Sequence, residues 1–198
     1  MGVKDSGKPE DRRRVRRARA ATIRAMSTDV HDPLLSPPDV LPPEDDATPA
    51  GRLHEGALFT LLGYQLAQAA VTTTAVFESR VGEVHDLRPV EYTILMLVGG
   101  NTQVSPTRLA RALAVTLPNI KMWLDRMEGR GLVRRERSER DRRIQHVTLT
   151  EAGAALAAQA SALLHEGERE VLDGFSPGER LLLVELLHRV ARARERRR

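Results

Sequence analysis

The chain contains 198 residues, a length that suits one domain with an extension or two small domains. It has no cysteine, which excludes disulfides, thiolate metal sites, iron–sulfur clusters and cysteine nucleophiles. Basic side chains exceed acidic ones by only 31 to 27, and aromatic residues make up 3%, which disfavours a platform that stacks several bases. No apolar run approaches the roughly 20 residues of a membrane helix, so we expect a soluble, cytoplasmic protein without membrane contacts.

The first 50 residues differ in composition from the rest of the chain. They hold seven of the eleven prolines, and seven arginines between Arg12 and Arg24 precede an acidic, proline-rich stretch that ends at Asp46. Because this segment has almost no aliphatic periodicity, we expect residues 1–50 to form a disordered extension. The alternatives are that the basic run is a DNA-tracking arm, or that it is upstream sequence translated before a natural start at Met26.

From residue 51 onward the pattern is mainly helical. Four helices are expected, two before a central unit and two after it. They run from Leu53 to about Val84, from Pro89 to Val98, from Thr150 to about Leu172 and from Ser176 to about residue 195. The first and the last two carry more apolar surface than one small domain covers. This excess predicts a dimer seam.

Residues 105–129 predict a helix-turn-helix. Ser105 and Pro106 form a good helix start, and a tight connection at residues 114–116 leads into a second helix of about eleven residues. Two short helices joined by such a turn have the geometry of this DNA-binding unit. In the second helix, an apolar stripe at i, i+3, i+4 and i+7 comprises Ile120, Trp123, Leu124 and Met127. The face predicted to meet solvent comprises Asn119, Lys121, Met122, Asp125 and Arg126.

A β-hairpin is expected directly after this unit. Strand-like stretches begin at Leu132 and at Ile144, and the loop between them is rich in arginine, which is typical of a wing. Residues 105–145 contain eleven basic and five acidic side chains, a net charge of +6, whereas residues 51–104 and 146–198 carry −2 and zero. Basic side chains on DNA release counterions and provide sequence-independent affinity. Surface arginines of no function are the alternative, but they do not account for this clustering.

Three ordered motifs in this region resemble a known family. They are residues 124–135 (LDRMEGRGLVRR), the run Asp141-Arg142-Arg143, and the run Leu149-Thr150-Glu151-Ala152-Gly153. The last two are similar to the wing-tip Asp-x-Arg and the helix start Leu-Thr-x-x-Gly of the MarR (multiple antibiotic resistance regulator) family of bacterial winged-helix transcription factors. The resemblance covers about Leu53 to the C-terminus. It implies a mainly α fold with a small β-hairpin wing, in which a winged helix-turn-helix at about 89–149 lies between dimerisation helices at about 53–85 and 150–195.

The resemblance also implies a homodimer on a palindromic operator, with the helix from Leu117 to Glu128 in the major groove. There Asn119 is expected to read an adenine edge, and Lys121 a guanine or a phosphate. A thymine methyl is expected to meet Leu117, Pro118 or Met122. Family members often begin this helix with small hydroxyl residues, so the operator sequence does not carry over to this chain.

In the predicted wing, Arg143 matches the family's minor-groove arginine, and Asp141 is expected to shape the tip. Arg140 and Arg142 are expected to meet phosphates, which position the protein without specifying sequence. The complete set of predicted DNA contacts is Ser105, Thr107, Thr116, Leu117, Pro118, Asn119, Lys121, Met122, Arg126, Arg140, Arg142 and Arg143.

Members of the family commonly bind small, often aromatic or acidic, molecules between the dimer helices and the winged lobe. The candidates here are Tyr64, His85, Arg88 and Tyr92, because they combine a cation with polar-tipped rings on the first two helices. The alternative interpretation is that Arg88 is a surface cation and that both tyrosines belong to the core.

We therefore predict a dimeric, ligand-responsive DNA-binding repressor. One alternative is a winged-helix module for protein contacts or chromosome architecture, without a ligand response. The other is an enzyme with a DNA-targeting appendage, and the sequence has no Gly-rich phosphate loop or Gly-x-Ser-x-Gly turn to support it. The six histidines show no metal-ligand spacing, so we predict no metal, no cofactor and no catalytic residue.

Overall fold

The computed structural model describes residues 47–137 and 145–194, which divide into two units between Gln65 and Leu66. The described part of the first unit begins with a β-bridge between Ala47 and His54 and a 3-10 turn at Gly56–Thr60. No helix within the described ranges is long and apolar enough to cross a membrane.

The described chain is mainly helical and has one β-hairpin, as expected. In chain order they are α1 (Leu62–Phe77), a π-helical segment (Glu78–Gly82), α2 (Glu83–His85), α3 (Pro89–Gly99), α4 (Pro106–Leu113), α5 (Leu117–Gly129), β1 (Val133–Arg137), β2 (Gln145–Leu149), α6 (Glu151–Val171) and α7 (Pro177–Arg192).

The prediction of one regular helix from Leu53 to Val84 is wrong in two places. Leu61 has an extended backbone (φ −84°, ψ 110°), so α1 begins only at Leu62. Farther along, the hydrogen-bonding pattern widens into a π-helical segment at Glu78–Gly82 before the last turn, α2. Val81 lies within the π-helical segment and is fully buried, so this segment contributes to the core.

The core of the second unit is mainly aliphatic, in keeping with an aromatic content of 3%. Ile94 and Leu95 of α3 and the stripe residues Ile120, Leu124 and Met127 of α5 are fully buried and belong to one hydrophobic cluster. Trp123, the fourth member of that stripe, is half-buried and packs against the core.

Local capping chemistry sets the starts of α4 and α7 as predicted. The Ser105 hydroxyl accepts a hydrogen bond from the Arg108 N–H, and Ser176 caps α7 reciprocally with Glu179. Thr116 occupies the capping position of α5 but makes no side-chain capping bond. Between α4 and α5, Ala114 adopts a left-handed conformation (φ 55°, ψ 39°), which closes the turn of the helix-turn-helix.

The hairpin is antiparallel, with Val133 opposite Leu149 and Arg135 opposite Val147. A bridge from Val104 to Val147 joins it to the segment before α4. Residues 138–144, which lie between the two strands in the sequence, are outside the described residues, and so are the predicted tip residues Arg140, Asp141, Arg142 and Arg143 among them.

The junction between β2 and α6 explains physically why a threonine is followed three residues later by a glycine. The Thr150 hydroxyl accepts from the Gly153 N–H at 3.0 Å and donates to the Gly131 carbonyl at 2.6 Å. A Cβ placed on Gly153 would lie 1.9 Å from the Leu132 carbonyl oxygen. Only glycine allows this close approach, which docks α6 on the start of the wing.

Candidate nucleic-acid interface

The first two turns of α5 present a mixed polar and apolar surface. Asn119 and Lys121 are exposed, Met122 is 54% exposed and Leu117 is 36% exposed. Pro118 is exposed beside them. The amide and ammonium groups suit base edges and phosphates, and the apolar groups suit thymine methyls. The structure therefore brings together the five residues of this helix start that the sequence predicted.

Three further predicted contacts in the helix-turn-helix, Ser105, Thr107 and Thr116, lie at helix starts. Thr107 and Thr116 are exposed, whereas Ser105 is half-buried and its hydroxyl is used as the cap of α4. The Ser105 hydroxyl already accepts the Arg108 N–H, and Pro106 has no N–H, so the start of α4 offers few backbone donors to a phosphate oxygen.

Arg126 differs from its prediction, because it is not on the solvent face. Its side chain is 28% exposed, and its Nη1 donates to both oxygens of Glu91, at 2.9 and 3.0 Å. Its Nη2 donates to Asp86 Oδ1 at 2.8 Å. Glu91 is fully buried and also accepts from the Arg88 N–H at 3.0 Å. The guanidinium therefore ties the second half of α5 to the corner between α2 and α3.

The electrostatics of this corner favour the charged forms of both partners. The hydrogen bond from Arg126, reinforced by its charge, lowers the pKa of Asp86 below its ordinary value. In return, the hydrogen bond to Asp86 raises the pKa of Arg126. Arg130 adds a second link from the end of α5, because its Nη2 donates to the His85 carbonyl at 2.8 Å.

A second set of ion pairs ties α5 to the wing. Arg135 of β1 donates from Nε to Glu128 Oε2 at 2.9 Å, and its Nη1 lies 2.7 Å from Asp125 Oδ1. The hydrogen bond from Arg135 lowers the pKa of Glu128. Because α5 is held by Arg126 on one side and Arg135 on the other, its orientation relative to the wing and the α3 corner is well defined.

Sequence reasoning missed two exposed cations. The side chains of Arg111, in the last turn of α4, and of Arg137, at the end of β1, have no hydrogen-bond or ion-pair partner among the described residues, and the same holds for the side chain of Lys121. Their exposure and unused donors distinguish them from Arg126 and Arg135. The sequence could have indicated these two residues only by their positions, because Arg111 precedes the turn of the helix-turn-helix and Arg137 precedes the predicted tip of the hairpin.

Of the four predicted ligand contacts, Tyr64 lies in the first unit, and His85, Arg88 and Tyr92 lie in the second. In the first unit, the Tyr64 hydroxyl donates to Glu55 Oε1 at 3.1 Å. In the second unit, Tyr92 is half-buried, its hydroxyl lies 3.0 Å from Ser161 Oγ and its ring packs 6.0 Å from that of Phe77. His85 and Arg88 lie at the corner before α3, where Arg88 is exposed.

Two further observations bear on ligand binding. His85 Nε2 is buried and has no hydrogen-bond partner within residues 47–137 and 145–194. No cluster of acidic residues and histidines in those ranges is placed to hold a metal ion. A shallow cavity of about 110 Å³ lies elsewhere, and its lining comprises Leu97, Asn101, Val104, Arg108, Leu109 and Ala112.

Comparisons with known proteins identify the family. Residues 85–144 match the MarR family model. The transcriptional repressor CouR, whose structure was solved bound to a 23-mer DNA duplex, is 34% identical, with a TM-score of 0.65 over 70% of this chain and 98% of that chain. The chain belongs to the MarR family. The predicted family and fold class are thereby confirmed: this is a DNA-binding, winged-helix transcription regulator.

Two further solved structures of transcriptional regulators support the same fold. A probable transcriptional regulator from Pseudomonas aeruginosa is 30% identical, with a TM-score of 0.58 over 65% of this chain and 95% of that one. The transcriptional regulator BldR from Sulfolobus solfataricus is also 30% identical, with a TM-score of 0.57 over 65% and 93%. The proteins that this MarR-family chain matches are transcription regulators rather than enzymes.

Proposed function

We propose that this MarR-family regulator is a homodimeric repressor that places α5 of each chain in a major groove of a palindromic operator. The observation that carries the proposal is the exposed start of α5, where Asn119, Lys121 and Met122 offer an amide, an ammonium and an apolar group side by side. The helix that bears them is held from both sides, so these groups are presented in a fixed orientation. The related repressor CouR acts on DNA, which is consistent with this function.

Dimer formation is supported by the surface of α7. Within the described chain, no residue of this 16-residue helix is buried, even though many of its residues are apolar. Among them, Leu181, Val184 and Leu182 are 74%, 66% and 52% exposed. Exposed apolar residues clustered on one helix mark an interaction surface. A second copy of the chain would cover them and would set the two α5 helices about one turn of DNA apart.

Release by a small ligand is supported by the corner before α3. An exposed guanidinium, Arg88, lies three residues from His85, whose buried Nε2 lacks a hydrogen bond within the described ranges. The same corner is tied to α5 through Arg126, so a ligand bound here would act on the orientation of the recognition helix. To shift the equilibrium, the ligand must prefer one orientation to another.

The test is selection of binding sites from a random duplex library, followed by a salt series with the selected and a random duplex. We expect a palindrome that is bound at least about 10³-fold more tightly than random DNA. Asn119→Ala and Lys121→Ala should reduce this preference at defined positions, by about 1–3 kcal/mol for each lost bidentate contact. Arg143→Ala should weaken binding while leaving the dimer intact.

Arg169→Ala serves as the control, because Arg169 is exposed on α6, far along the chain from the helix-turn-helix. Equal affinity for all duplexes would instead favour the alternative function, a chromosome-architecture module. If the Asn119 and Lys121 variants weaken all duplexes equally, neither residue reads bases.

A further inference from the structure

The C-terminal end of α7 carries an unusual concentration of cations. Residues 189–198 contain six arginines and one acidic residue. Arg189, Arg192 and Arg194 lie within the described residues and are exposed, whereas residues 195–198 lie outside them. Arg189 has a weak ion pair with Glu185, with 4.0 Å between Nη1 and Oε1. Arg192 and Arg194 have no acidic partner in the part of the chain that the structure describes.

Arg194 brings this end of α7 to the helix-turn-helix. Its Nη2 donates to the Ala112 carbonyl oxygen at 3.1 Å, in the last turn of α4. Ala112 lies two residues before the left-handed Ala114 and five before Leu117, the first residue of α5. Arg111, which is exposed and whose side chain has no described partner, precedes Ala112 in the chain. Arg194, from a distant part of the sequence, therefore contacts the residue that follows Arg111, two residues before the turn.

Helix stability alone does not explain this arrangement. Cations in the last turn interact favourably with the helix dipole, which accounts for Arg189 and Arg192. Arg194 lies beyond the last residue of α7, and its hydrogen bond is to a carbonyl of another helix. A carbonyl oxygen satisfies one donor without neutralising the positive charge, so the guanidinium keeps both its charge and its remaining donors.

We propose that the end of α7, through Arg192 and Arg194, is a second DNA-contact surface that binds the phosphate backbone beside the helix-turn-helix. The first helix of such a unit crosses the backbone of the duplex, and here that helix is α4. Arg194 is hydrogen-bonded to Ala112 at the end of α4, and Arg111 is the residue before Ala112. This surface rests on the proposed function, and it adds affinity without sequence selectivity, because phosphate contacts carry no base information.

The salt dependence of binding gives a quantitative test. Each phosphate neutralised by a basic side chain contributes about 0.9 to the slope of log affinity against log salt concentration. Arg194→Gln should therefore lower the magnitude of the slope by about 0.9 per chain, or about 1.8 for a dimer, on selected and random duplexes alike. Arg192→Gln should act in the same direction, and Arg194→Lys, which keeps the charge, should retain most of the slope.

The experiment uses the full chain, with the dimer checked by sedimentation for each variant. Arg169→Gln removes the same charge from an exposed site on α6 and should leave the slope unchanged. A slope for Arg194→Gln and Arg192→Gln equal to that of the wild type or of Arg169→Gln overturns the proposal. So does a loss of affinity confined to the selected duplex. A wild-type protein that prefers no duplex contradicts the proposed function instead, which keeps the two failures distinct.

Discussion

Replacing Arg126 by methionine tests whether this residue supports the fold rather than contacts DNA. The substitution removes the guanidinium that donates to Glu91 at 2.9 and 3.0 Å. Glu91 is fully buried, and the Arg88 N–H would remain its only described donor. Breaking a buried ion pair costs about 3–5 kcal/mol, since the remaining charge is left uncompensated. Because Arg126 is 28% exposed and water reaches it, we expect the lower end, about 3 kcal/mol.

A double-mutant cycle separates the pair from the individual side chains. Glu91→Gln keeps an acceptor for the Arg88 N–H but removes the buried charge. In the Glu91→Gln background, Arg126→Met should therefore cost about 2 kcal/mol less than in the wild type. Urea unfolding at a fixed protein concentration gives the free energies, since the stability of a dimer depends on concentration. Thermal midpoints should follow, with about 2–4 °C per kcal/mol for a chain of this size.

The reasoning is refuted if Arg126→Met costs less than about 1 kcal/mol and instead lowers the slope of DNA affinity against salt. That result would return Arg126 to the set of DNA contacts that the sequence predicts. A coupling energy close to zero would likewise show that the bonds between Arg126 and Glu91 do not contribute to stability.

Three other substitutions or conditions give measurable outcomes. Gly153→Ala places a Cβ 1.9 Å from a backbone carbonyl oxygen and should destabilise by about 2–4 kcal/mol in urea, whereas Gly178→Ala, which meets nothing within 4 Å, should not. Ala114→Gly relieves a left-handed backbone, so it should raise the free energy of unfolding by up to about 1 kcal/mol and raise the thermal midpoint with it. Hydrogen bonds from arginines lower the pKa values of Asp86 and Glu128 from their ordinary 3.8 and 4.5. The two ionised carboxylates therefore stabilise the folded protein fully above those values, and this contribution should be lost as the pH falls below them. Urea midpoints between about pH 5 and pH 3 check this.

Features encoded within a few neighbouring residues were predictable. The starts of α3, α4, α6 and α7 follow from a proline or a capping hydroxyl next to an apolar stripe, and the structure has all four within one residue of their predicted places. The break at Leu61 and the π-helical segment were not predictable in this way. The apolar periodicity continues through both, and no proline lies between Leu53 and Val84, although Gly56 has a positive φ of 53° before the break and Gly82 ends the π-helical segment.

The role of Arg126 could not be read from α5 alone, because its partner lies 35 residues earlier in the chain. A signal was nevertheless present in α3. Glu91, Ile94, Leu95 and Val98 fall at i, i+3, i+4 and i+7, so the carboxylate occupies a position in the buried stripe of its helix. A carboxylate buried in a core requires a cationic or hydrogen-bonding partner. The sequence of α3 therefore indicates that a basic residue pairs with Glu91, but it does not identify which arginine this is.

The net charge of +6 over residues 105–145 overstates the charge that is available to DNA. Arg126 is paired with Asp86 and Glu91, which lie outside this region and are not counted in that net charge. Arg135 is paired with Asp125 and Glu128, which are counted in it. In the described part of the region, the cations without such partners include Lys121 and Arg111. The paired arginines have a different use: they hold α5 against the α3 corner and the wing before DNA arrives. A helix already fixed in place loses less conformational entropy on binding, so fewer free cations are needed for a given affinity.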